Sequence, residues 1–131
     1  MGLAERRAVK GFQENKFPKL QQEVHQAAGF PVELDIRWDT LGADDYAEMY
    51  EDAFPKVYFK PLIEALRAVG CDDMGREALK EGLKKVIIRH TGSTDISFAN
   101  GVLTFDHHPV SNVDYWSERK ETLQKALEKG L

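Results

Sequence analysis

Three groups of side chains in this sequence have chemical potential: a run of acids, histidines beside opposed aspartates, and a row of aromatics. Asp44, Glu48 and Asp52 recur every fourth residue, so on a helix they share one stripe. Like charges at that spacing cost an isolated helix about 0.3 kcal/mol per pair, which invites a compensating partner. The span from Glu33 to Asp52 also holds Asp35, Asp39, Asp45 and Glu51 against Arg37 alone, within a chain of net charge −4. Two readings compete. One is a solvated outer face, or pairing within the fold to a basic stripe of Arg76, Lys80 and Lys84. The other is a negative surface that steers and holds a basic protein.

The histidines are placed by a turn. Asn100-Gly101 tolerates the positive φ angles of a two-residue type I′ hairpin, which pairs Ala99 with Val102, Phe98 with Leu103, Ser97 with Thr104, Ile96 with Phe105 and Asp95 with Asp106. The apolar members then share one face, as burial requires. Asp95 faces Asp106 on the polar side, with His108 next along that side. Opposed carboxylates repel, so either the strand end splays into solvent or something positive sits there. Asp95, Asp106 and His108 have the ligand types of a weak metal or acid/base site, but three such residues with no matching motif are a poor zinc signature. The splayed end is the expectation, and no metal or cofactor is called for. His107 and His108 point to opposite faces of a regular strand, so they do not serve one site. His107 continues the apolar face, as does His90 if the following loop has five residues, and both read as core-edge histidines.

Tyr46, Tyr50, Phe54, Tyr58 and Phe59 concentrate aromatic area near the acids. A ligand pocket built on Tyr46, Tyr50 and Tyr58, with His90 or His107 at its mouth, is the alternative that would make this a small-molecule-binding domain or an enzyme. At helical spacing such a row reads more simply as core. Thr91-Gly92-Ser93-Thr94 joins two strands and lacks the spacing and lysine of a phosphate loop. Cys71 is followed by Asp72 and Asp73, which oppose a thiolate. No serine-nucleophile or Cys-His signature is visible.

The elements that must position these residues follow from periodicity. Helix is predicted from about residue 3 to 28, interrupted by Pro18 and ended by Gly29. Val32, Leu34, Ile36 and Trp38 alternate with charges as a half-buried strand. A helix capped by Gly42 spans Ala43–Phe54 and stops at Pro55; another runs Tyr58–Val69 with Pro61 in its first turn. Asp72 caps a helix to about Leu83. Strands follow at Lys85–His90, Asp95–Ala99 and Val102–His107, as a meander. Ser111 or Asn112 caps a last helix to Lys129, with Val113, Trp116, Leu123 and Leu127 inward and Lys120 snorkelling among them. The expectation is one α+β domain: four strands, mostly or wholly antiparallel, with helices on one face.

At 131 residues, 42% hydrophobic and 31% charged, the chain has the size and composition of one globular domain. Without a Lys/Arg run, nucleic-acid binding is not expected. One cysteine allows no internal disulfide, no apolar stretch reaches membrane-spanning length, and residues 1–7 lack a secretory apolar core. A cytoplasmic setting without a membrane anchor is therefore expected. The functional expectation is a non-catalytic interaction domain presenting Asp44, Glu48 and Asp52, with Glu33 and Asp35, to a basic partner.

Overall fold

The computed structural model describes residues 2–43 and 45–131. Two helices open the chain, α1 (Leu3–Asn15) and α2 (Phe17–Ala28). The break falls at Lys16, and Pro18 sits in the first turn of α2, where its missing N–H costs nothing. Gly29 adopts φ +84 and ends α2. β1 (Glu33–Ile36) is shorter than the alternation implied, because Trp38–Thr40 coils into a 3₁₀ turn. Trp38 packs edge-on against Phe17 with 5.1 Å between ring centroids.

The next segment departs from expectation. Gly42 caps nothing, Asp45 takes φ +68, and helical structure begins only with a 3₁₀ turn at Ala47–Met49. It continues as α3 (Tyr50–Phe54), a π turn (Pro55–Phe59) and α4 (Lys60–Val69). Pro55 therefore does not stop the run. The wider π turn accommodates it, closed by the Lys60 amide donating to Pro55 O. α5 (Asp73–Gly82) begins at Asp72, whose Oδ1 accepts from the Gly75 amide at 2.8 Å.

β2 (Lys85–Arg89), β3 (Asp95–Ala99) and β4 (Val102–Asp106) complete a four-stranded sheet in the order β1-β2-β4-β3. The hairpin has the register its turn dictates, from Ala99 opposite Val102 to Asp95 opposite Asp106, with Asn100 at φ +54 and Gly101 at φ +81. The sheet itself is mixed. β2 runs parallel to both β1 and β4, and only β3 with β4 is antiparallel. The meander is corrected accordingly: the 90–94 loop steps across the end of β4, so β3 becomes the edge. Burial explains the order, since Leu103 and Phe105 are fully buried beside Val86 and Ile88, whereas β3 has no fully buried residue. The most apolar strands occupy the centre.

These four residues, with Leu62, Leu66 and Ala65 of α4, belong to one continuous core. The other face of the sheet carries Lys85, Ile87, Arg89 and Thr104 and is only partly covered. The last helix, α6 (Trp116–Gly130), starts later than predicted, after an irregular 111–115 stretch in which Asn112 takes φ +52. It packs on α4 and β3. Lys120 is not the inward residue: Arg119, Leu123 and Leu127 are buried, a ladder of every fourth position. Among the described residues, no helix is long and apolar enough to cross a membrane.

Candidate functional site

Of the acidic stripe, Asp44 lies outside the described residues, Glu48 falls in the 3₁₀ turn at Ala47–Met49 and Asp52 in α3. Asp52 is exposed and pairs with Lys56 at 3.3 Å. Glu33 and Asp35 sit on the open sheet face instead, sharing Lys85 at 3.4 Å each. Arg37 adds a two-pronged bond that holds the Asp35 carboxyl below its ordinary pKa. Among the described residues, these acids therefore pair with Arg37, Lys56 and Lys85 and not with Arg76, Lys80 or Lys84. Glu48 and Glu51 remain exposed beside Asp45 and Asp52.

Between these acids the surface is apolar. Tyr46 is 44% exposed and Met49 39% exposed. The start of α1 lies alongside, tied by the Asp45 amide donating to Glu5 Oε1 at 3.4 Å, and it carries Leu3 at 53% exposure. Tyr46 thus points outward. Tyr50 turns inward, stacks on Phe54 at 4.7 Å, and its hydroxyl exchanges hydrogen bonds with the Ala43 backbone. Phe54, Tyr58 and Phe59 are fully buried, and Phe12 meets Phe54 edge-on at 5.0 Å. The aromatic row is closed core, so the pocket drawn through Tyr46, Tyr50 and Tyr58 is corrected.

At the far end of the sheet the opposed aspartates separate in role. Asp95 is exposed and Asp106 is fully buried. Arg89 Nε donates to Asp106 Oδ2 at 3.0 Å, the Thr91 amide donates to Oδ1 at 3.0 Å, and the Thr91 hydroxyl donates to Oδ2. The strand end is not splayed: Arg89 is the positive group, and the carboxylate staples the loop that crosses β4. Burial alone would raise the Asp106 pKa. The Thr91 and Arg89 bonds outweigh it and hold the group below the ordinary value. Among the described residues, no three His, Cys, Asp or Glu side chains converge as a metal group.

Regular strand ends at Asp106, so the alternation argument for the histidines fails one residue later. His108 swings against His90, with ring centroids 4.9 Å apart and near-perpendicular planes. His90 Nδ1 is buried and has no hydrogen-bond partner among the described residues, while its backbone amide is held by Thr40 Oγ1 at 3.1 Å. His107 is 6% exposed, and its Nδ1 meets His108 O at 2.7 Å. A carbonyl only accepts, so Nδ1 carries the proton and Nε2 the lone pair. Burial lowers the pKa of His107, and burial followed by the proximity of His90 lowers that of His108. Tyr58 donates to His107 O at 2.5 Å; burial, then Asp106, pushes its phenol well above the ordinary range, keeping it a neutral donor.

Arg119 was not visible from the sequence. At 6% exposure it donates from Nε to Val57 O at 3.0 Å, from Nη1 to Asn112 O at 2.7 Å, and from Nη2 to Lys56 O and Val113 O at 3.3 and 3.2 Å. Val57 and Lys56 stand four and five residues before Pro61, which has no N–H to complete either an α or a π bond. Arg119 supplies the donors that Pro61 lacks and ties the π turn to the loop before α6. The only advance signal was the 119-123-127 spacing. Beside it, between β3 and α6, lies a cavity of about 340 Å³. A larger groove, about 500 Å³, runs along α1 beside Trp38, but no buried polar group reaches it.

Comparison with protein-family models, curated proteins and solved structures finds no match to this chain.

Proposed function

We propose that this chain is a non-catalytic interaction domain whose docking surface is residues 45–52 together with the start of α1, and whose partner is a basic segment with an apolar face. The observation that supports this reading is the exposure of Tyr46, Met49 and Leu3 within a rim of exposed acids. Adjoining exposed apolar side chains rimmed by one sign of charge have the anatomy of a binding surface. Methionine adapts to varied apolar partners, and tyrosine adds area with a polar tip. The acids supply steering and register, the apolar centre the burial. Glu33 and Asp35, already neutralised by Lys85 and Arg37, contribute less to this surface.

The test uses a labelled amphipathic helical peptide of Leu and Lys and a scrambled control of equal charge, measured by fluorescence anisotropy. The amphipathic peptide should bind more tightly than the control. E48K/D52K should weaken it about tenfold, since each exposed pair is worth up to about 1 kcal/mol and is reversed rather than removed. The salt dependence should flatten in the same variant. Equal affinity for both peptides, unmoved by the charge reversal, would contradict the proposal.

A further inference from the structure

We infer that the cavity between β3 and the N-terminal half of α6 binds a small organic molecule with a single carboxylate and a hydrogen-bond donor next to it, the chemistry shared by α-hydroxy acids and α-amino acids. The site is separate from the acidic surface and rests on different observations. Its volume is about 340 Å³. At roughly 30 Å³ per liquid water, that holds about ten waters, or a ligand of about ten non-hydrogen atoms.

Two nearly buried polar groups stand on its wall. The first is the Arg119 guanidinium, with four of its five N–H bonds given to backbone carbonyls and none to a carboxylate among the described residues. Carbonyl dipoles satisfy its donors without neutralising its charge, and a buried cation left in that state favours a counter-ion. Its fifth N–H, on Nη1, is the one left to bind it. The second is His107, whose Nδ1–H is committed to His108 O. Among the described residues no hydrogen bond uses Nε2, and His107 is one of the residues that line the cavity, which leaves this lone pair available to a ligand there.

A cation and a neutral acceptor side by side select the ligand. A bare carboxylate answers only Arg119, and a neutral alcohol or amide answers only His107. A carboxylate with a neighbouring O–H or N–H answers both. Tyr115, which precedes α6, gives its first-turn amides no side-chain cap, so the positive end of a 15-residue helix faces the same opening. Glu118, exposed on the cavity wall, disfavours a second negative charge and restricts the ligand to a single carboxylate.

The full-length chain is titrated at constant ionic strength with L-lactate, glycine, acetate and malate, following the His107 imidazole nitrogens and the amides of Thr94 and Thr122 by NMR. Lactate or glycine should saturate, and the tighter of the two identifies the donor. Acetate, lacking the donor, should bind about fivefold more weakly, and dianionic malate more weakly than lactate. H107F should erase the difference between lactate and acetate. T94W, a substitution at an exposed residue on the cavity wall, should abolish saturable binding even if H107F fails to fold. Absence of saturation with all four probes, an acetate affinity equal to that of lactate, or undiminished binding in T94W would overturn the inference.

Discussion

Replacing Arg119 with methionine removes a buried cation of similar length and leaves four carbonyls without their donors. Two of them, Val57 O and Lys56 O, stand four and five residues before Pro61, which has no N–H to offer them. Asn112 O and Val113 O lie in the irregular stretch before α6, nearer to water. A stranded buried carbonyl costs about 1–3 kcal/mol, and relief from burying a charge offsets part of the total. The expected loss is about 4 kcal/mol, a large share of the 5–15 kcal/mol typical of a domain, or about 12 °C in Tm for a chain of this size. Urea unfolding followed by fluorescence of Trp38 and Trp116 measures it. The decisive element is the double-mutant cycle with P61A, which returns an amide N–H four residues after Val57 and five after Lys56. In that background R119M should cost about 1 kcal/mol less. A loss under about 1 kcal/mol for R119M alone, or an unchanged cost in the P61A background, would refute the account of Arg119 as the donor Pro61 cannot be.

Other consequences are equally direct. D106A strands the Thr91 amide and Arg89 and should cost about 3 kcal/mol by urea unfolding; full stability would remove the staple. For His107 and His108 the folded pKa lies below the unfolded value of about 6.5. Their contribution is therefore complete above about pH 6.5 and lost as pH falls below it, since the unfolded state then binds more protons; in H107F/H108F that part of the pH–stability curve should flatten. Two glycines should respond oppositely in thermal melts. At Gly75 a Cβ would overlap the Val69 carbonyl oxygen, so G75A should cost more than about 2 kcal/mol. At Gly11, within α1, a Cβ meets nothing, so G11A should stabilise by about 0.5–1 kcal/mol.

What was legible in the sequence was local. The Asn100-Gly101 turn set five residue pairs correctly, Asp72 and Gly29 marked helix ends, and alternation located β1. Strand order was not local. Lys85–Arg89 reads the same whether β3 or β4 lies beside it, and only competition among apolar residues for the sheet centre put β4 there. Pro55 resembled a stop because its missing N–H breaks an α ladder, but a π turn absorbs the defect at the expense of carbonyls that Arg119 satisfies from 62 and 63 positions away. The aromatic row announced both its helix and its burial, with Tyr46 the exception because the chain is not yet helical there. The opposed aspartates were correctly paired, but the loop that crosses β4 decided that one would be buried and the other exposed.

The docking surface is tested most directly by mapping backbone amide shifts of the isotopically labelled full-length chain as the amphipathic basic peptide is added. A docking surface there predicts saturating shifts concentrated at Asp45, Tyr46, Glu48, Met49 and Asp52 and at Leu3 and Glu5, lost in E48K/D52K. Shifts centred instead on Glu33 and Asp35, or spread evenly over every exposed acid, would contradict it.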